Sequence, residues 1–488
     1  MSKRRRRKPR IPRTVTIDSN PSGTFWKIVL LLDGLLIAFI ALLPIPQASA
    51  NAGTTAVVVL LLWQVVLFLS SRSPFQMEWK FRKPHCVQTG LQIILFIYWG
   101  LYWNDVAGFA PLIAIQLVFA YLFDILLSWS RKKTWYGGLG QFPVVLSINL
   151  FLWFQPAFFF CQFLLIAMAY LGKEFVTWHY AGRKKHIFNP SAFALAIVAV
   201  ALLLAPTDQP DRAAGMVETV TGSVEYSNRA LDIVDSFSLA PNFYEVVFLL
   251  SLVVQFLFGT TLITLGAALA MCLMFAASGA FFDAPLFEVA LNRSVFLGIS
   301  LLVTDPSTSP KSGVGKFMFG LVYGGGVFLI DVVFSALQLQ TQFDKILLVP
   351  VVNLLVPWLD RAATAIQSRI GVEATLSTPS FGRYASIAVY IGLFLVVIPA
   401  HKSPPLFQSP FPPPMVYSSA EMDTLSLSRI VCQLKHEDAF LPFGFASEVA
   451  QYSAIKELLR MDKGEAEASL LRELERLDAE ARGIKPVP

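Results

Sequence analysis

The sequence predicts an all-α protein: a polytopic transmembrane helical bundle of about 11–13 spans with broken helices, followed by a soluble helical tail. Three observations predict it. Hydrophobic residues fill 55% of the 488 positions and charged residues only 15%, against about 25% charge in a soluble domain. Apolar runs recur from residue 26 to residue 400, many near the roughly 20 residues that cross a bilayer core. Lys and Arg gather at alternate seams between those runs, as in a chain threaded back and forth across a membrane.

Residues 1–25 form a basic arm opening with "SKRRRRKPRIPR". Nucleic-acid binding is the other reading of such a run, but its place just before an apolar span favours a cytoplasmic anchor and no nucleic-acid partner. Residues 26–79 hold two additional N-terminal spans, 26–44 and 55–71. The core, 80–365, holds apolar stretches at 87–103, 107–129, 142–155, 156–178, 187–205, 243–258, 260–279, 286–303, 317–337 and 344–359. Gly259-Thr260-Thr261 breaks a run too long for one helix, and 142–155 is short enough to be re-entrant. An extra span at 384–400 lies within 366–400. Residues 401–488 are a Pro-rich connector and a charged tail whose leucines (Leu458, Leu470, Leu474, Leu477) stand at helical spacing, as in amphipathic helices that dock on a partner.

Basic residues collect at 4–13, 72–83, 131–133 and 183–185, at Lys311 and Lys316, and at Arg361 and Arg369. The loop 206–243 carries six acids against two arginines. Cytoplasmic loops keep the positive charge, so the N-terminus and the seam at 302–316 are expected inside, and loop 206–243 outside, the cytoplasmic (inner) membrane. Four scattered cysteines, with no Cys-x-x-Cys, form neither a disulfide frame nor a cluster site.

Three polar seams interrupt the apolar core. In "KHIFNPSAFALAI", His186, Asn189 and Pro190 introduce a helix; Asn suits a cap, or a ligand contact, and Pro the first turn. In "LVTDPSTSPKSGVGKF", Asp305-Pro306 and Ser309-Pro310 end a helix. Thr304, Asp305, Thr308, Ser309 and Lys316, with Gly313 and Gly315, then offer hydroxyls, charge and close backbone approach. That set suits the phosphate of a nucleotide or flavin, and equally a hydrogen-bonded helix break. It is not a P-loop, for no Ser or Thr follows Lys316. In "FDKILLVPVVNLLVPWLDR", Asn353 follows a mid-span Pro350, which turns that helix face inward. Asp33, Asp124 and Asp331 are candidate intramembrane acids for an ion pathway.

In this order and spacing the seams resemble the NqrB/RnfD family, the membrane subunits of sodium-pumping NADH:quinone reductases and Rnf electron-transport complexes. The resembling stretches are 185–197, 301–310 with 315–324, and 343–360, and the resemblance covers roughly 80–365. It implies a flavin-binding bundle beside other membrane and redox subunits, passing electrons with coupled Na⁺ or H⁺ movement. It places His186, Asn189, Pro190, Thr304, Asp305, Thr308 and Asn353 at pocket or motif positions. Those subunits attach FMN through its phosphate to a threonine; here "ETVTGSV" has Val224 at that place. A phosphoester needs a hydroxyl, so FMN or riboflavin is expected to be non-covalent if bound, with quinone the other candidate. The departure also resembles an enediyne-biosynthesis-associated branch of the family.

Three functions follow as expectations. One is a non-autonomous redox subunit, since the chain has no soluble nucleotide fold and no Fe–S cysteine set to oxidise NADH unaided. Another is a small-molecule or ion transporter on the same scaffold. The last is a structural subunit recruiting partners through its tail.

Overall fold

The computed structural model describes residues 15–16, 24–70, 76–102, 104–131, 133–154, 156–180, 182–203, 243–278, 293–337, 343–370 and 379–400. The expected basic run, Val224 with nearly all of the outer loop, the first part of the 286–303 span and the 401–488 tail lie outside them.

Thirteen α-helices make up the described chain. In order they are α1 (Thr24–Leu42), α2 (Gln47–Ser70), α3 (Lys83–Tyr102), α4 (Asn104–Ser130), α5 (Gln141–Asn149), α6 (Phe160–Phe175) and α7 (Pro190–Leu203). There follow α8 (Phe243–Phe258), α9 (Thr261–Ser278), α10 (Arg293–Leu297), α11 (Gly313–Ala336), α12 (Asp344–Ile370) and α13 (Pro379–Ala400). Six of them (α1, α2, α4, α9, α11 and α12) are long and apolar enough to cross a bilayer. The chain is therefore a multi-pass membrane protein of the all-α class.

Broken helices account for much of the rest. Nine-residue α5 rises only about 13 Å and continues as irregular backbone, 150–154, that is buried throughout. Irregular backbone at membrane depth is tolerated when protein surrounds it. Its polar groups are answered from neighbouring helices: Gln116 and Asn149 exchange amide hydrogen bonds at 2.7 and 3.2 Å, and Gln162 donates to Asn149 Oδ1 and to the Leu152 carbonyl. Helix α10 runs into a single π-turn, Gly298–Leu302, in which the Val303 N–H reaches back five residues to the Gly298 carbonyl. The break at 259–261 falls where the sequence places it, with Gly259 at φ +62° separating α8 from α9.

Helices α9 and α11 pack backbone to backbone. A Cβ on Gly320 would stand 2.1 Å from the Ile263 carbonyl oxygen, and one on Gly324 2.2 Å from that of Ala267. Gly320-x-x-x-Gly324 thus brings two backbones together, the small-residue packing that lipid surroundings favour.

Two small sheets add to the expected helices. β1 (Val15–Thr16), β2 (Met77–Trp79) and β3 (Trp135–Gly137) pair in that order, antiparallel then parallel. β4 (Thr177–Tyr180) and β5 (Arg183–His186) form an antiparallel hairpin, turning at Gly182 with φ +73°. A positive φ is costly for side chains other than glycine, so Gly182 sets the hairpin's turn.

Candidate functional site

The site is built where α7, the π-turn with its following loop, and α12 meet. Pro190 opens α7, and the Asn189 carbonyl accepts the first helical bond from Phe193 N–H at 2.9 Å. Its position is that of a cap, yet its side chain does other work. Asn189 Nδ2 donates to the Leu302 carbonyl at 3.3 Å, and its Oδ1 accepts from Ser191 Oγ at 2.9 Å. Asn353 completes the join: its Oδ1 accepts the Asn189 N–H at 3.2 Å and its Nδ2 donates to the Thr308 carbonyl at 3.1 Å. Only 1% of Asn353 is exposed, so each of those bonds replaces one that water cannot supply.

The loop is organised around Asp305. Its carboxylate accepts from Ser307 N–H at 2.9 Å, from Ser307 Oγ at 2.7 Å and from Thr308 Oγ1 at 3.0 Å, an Asx-turn reinforced by two hydroxyls. Thr304 Oγ1 donates to the Ser300 carbonyl at 2.9 Å, satisfying backbone inside the π-turn. His186 Nε2 lies 3.1 Å from Ser307 Oγ and so ties β5 to the same loop. Burial pulls the His186 imidazole below its ordinary value; the Asp305 carboxylate opposes this, while Lys173 and Lys185 reinforce it. Ser309 Oγ is buried without a partner.

The structure thus brings together His186, Asn189, Pro190, Thr304, Asp305, Thr308, Ser309 and Asn353. Lys316 is placed differently. Its Nζ donates to the Gly259 carbonyl at 2.7 Å, closing the end of α8, whose last carbonyls need donors. The N-terminus of α11 is likewise occupied, since Ser312 Oγ caps Gly315 N–H at 3.0 Å.

The three aspartates do not share a place. Asp33 accepts from Gln64 at 3.0 Å between α1 and α2. Asp124 accepts from Trp135 Nε1 at 2.8 Å and Gln141 Nε2 at 2.9 Å. Asp331, on α11, lies within electrostatic reach of the buried Asp344–Lys345 ion pair, 3.1 Å across. Among the described residues none of the three bonds to another. Neither is there a group of three or more His, Cys, Asp or Glu side chains placed to hold a metal ion.

Beside the seam lies an open cleft of about 390 Å³ between the hairpin and the C-terminal half of α12, lined by Trp178, His179, Tyr180, Pro357, Asp360, Arg361 and Thr364. The Tyr180 hydroxyl donates to Asp360 Oδ2, and the Lys311 N–H donates to Asp360 Oδ1 at 3.2 Å. Burial, the hydrogen bond to Asp360 and its negative charge push the Tyr180 hydroxyl up to about 12. Sequence reasoning overlooked this cleft. The available signal was "TWHYAGRKKH", a polar–aromatic alternation with Ala-Gly at its centre, which reads as a hairpin.

The fold and this seam define the class: a multi-pass helical membrane protein with a polar, cross-braced interior. Comparison with protein families, with curated proteins and with solved structures gives no match to narrow it further.

Proposed function

We propose that this membrane protein is a subunit of a redox-driven electron-transport complex, holding a flavin or a quinone non-covalently and working beside other redox subunits. One observation supports it above others: the stretches that carry the NqrB/RnfD resemblance form one hydrogen-bonded unit through bonds that span 45, 113 and 164 residues of sequence. Polar groups in a bilayer interior are costly and mark function by default.

The residues present discriminate among ligands. At the α11 N-terminus a phosphate would meet an amide already capped by Ser312 and a lysine already given to Gly259. Free capacity resides instead in Ser309 Oγ and in the second ring nitrogen of His186. Such groups fit the polar edge of a ring, so riboflavin or a quinone suits the seam better than FMN held by its phosphate. When bound, that group supplies electron transfer; His186, Asn189 and Asn353 orient its surroundings.

Purification from native membranes, with flavin fluorescence and organic-extract quinone measured on the same sample, tests this. Stoichiometric flavin or quinone, reduced at least fivefold in Asn353→Leu, is the expected result. Neither species in the wild-type sample would overturn the reading. The alternative, an ion or small-molecule transporter, draws less support because Asp33, Asp124 and Asp331 stand apart.

A further inference from the structure

We propose that the cleft between the β4–β5 hairpin and α12 seats the headgroup of an anionic phospholipid of the cytoplasmic leaflet. The inference does not rest on the redox reading, because it uses other residues and other chemistry. Three observations converge on it.

The first is charge. Arg361 lines the cleft, and Lys311 extends over the Tyr180 ring with Nζ 5.2 Å from its centroid. Across the hairpin, Lys184 pairs with His179 and Lys185 with Trp178, so the strand facing the lining is itself basic. Asp360 also lines the cleft, but its carboxylate accepts from the Tyr180 hydroxyl and the Lys311 N–H. Clustered lysines and arginines at a membrane surface are the pattern that attracts anionic lipid.

The second is depth. Asp360 stands 360 − 344 = 16 residues beyond the start of α12, or about 24 Å along the helix axis. With the buried Asp344–Lys345 pair near one boundary of the apolar region, Asp360 and Arg361 fall near the other. Trp178 and Tyr180 suit that layer, where amphipathic rings sit at headgroup level.

The third is a path for acyl chains. Val351, Leu354 and Trp358 are 49%, 42% and 58% exposed. With Arg361 they follow the spacing i, i+3, i+7, i+10, one face of α12. This apolar stripe leads from mid-bilayer to the cleft's cationic wall. A phosphodiester is recognised by Arg361 and Lys311, and its chains lie along the stripe. A quinone headgroup is neutral and has no use for that ring of cations.

The full chain, reconstituted in phosphatidylcholine nanodiscs with and without phosphatidylglycerol, provides the test, read by native mass spectrometry and thermal unfolding. Retained phosphatidylglycerol and a higher melting temperature in its presence are expected. Both should fall at least fivefold and to baseline, respectively, in the combined variant Arg361→Gln, Lys184→Gln. Lys184→Gln alone changes an exposed position; a partial loss of retention in it keeps the result readable if the pair does not fold. Equal retention of phosphatidylcholine, or retention unaltered in the variants, overturns the proposal. So does equal stabilisation by soluble glycerophosphoglycerol, which would assign the cleft to a free phosphate ester. Displacement of the lipid by a long-tailed quinone at equimolar amount would overturn it too.

Discussion

Asn353 is the side chain on which the seam depends most, because its amide bonds two other segments at once. Asn353→Leu leaves the Asn189 N–H and the Thr308 carbonyl without those partners in a buried place, at about 1–3 kcal/mol for each group left unsatisfied. A fall of several degrees in the melting temperature of the purified protein is the expected outcome. His186 makes the same seam sensitive to acid. Its folded-state value lies below the unfolded 6.5, so the unfolded chain takes up the proton more readily. The resulting stability is intact above pH of about 6.5 and is lost as pH falls through the folded-state value. Melting curves through that window should show the decline in wild type and a flatter profile in His186→Gln. An unchanged slope in the variant would place the acid sensitivity elsewhere. Asn353 was legible because an amide in an apolar run must find a partner; the Tyr180–Asp360 bond was not, since 180 residues separate the pair.

Helix packing shows where small residues are required. Gly320 and Gly324 have carbonyl oxygens of α9 where a Cβ would go, and backbone, unlike a flexible side chain, cannot move aside. Overpacking of this kind costs about 1–3 kcal/mol, sometimes more. Gly324→Leu should therefore abolish the folded state in detergent, seen as loss of the monodisperse peak on size exclusion, whereas Gly325→Ala, with open space around it, should leave the peak intact. The glycine run was visible in "GLVYGGG"; which glycines touch a neighbour was not, because that depends on the rotation of α11 about its axis.

The molecule is a multi-pass membrane bundle, and two of its basic seams meet among the described residues. The hairpin's Arg183-Lys184-Lys185 and the Asp305 loop meet through His186 and Ser307, so topology at one reports on the other. In spheroplasts and inverted vesicles, Lys184→Cys on a background without Cys86, Cys161, Cys272 and Cys432 should react with an impermeant maleimide only from the cytoplasmic face. Labelling from the outer face would reverse the orientation read from the loops.

Composition and the spacing of apolar runs were enough to establish a many-helix membrane protein, the break at Gly259 and the three seams, because the bilayer imposes its length and polarity rules locally. Partners are a different matter. That Asn189, Leu302, Thr308 and Asn353 form one unit, that Lys316 closes α8 and leaves the phosphate cradle closed, and that the three aspartates stand apart all depend on how helices distant in sequence are rotated and packed. A hydrogen bond is specified by a few tenths of an ångström across that packing, and no local pattern in the chain encodes it.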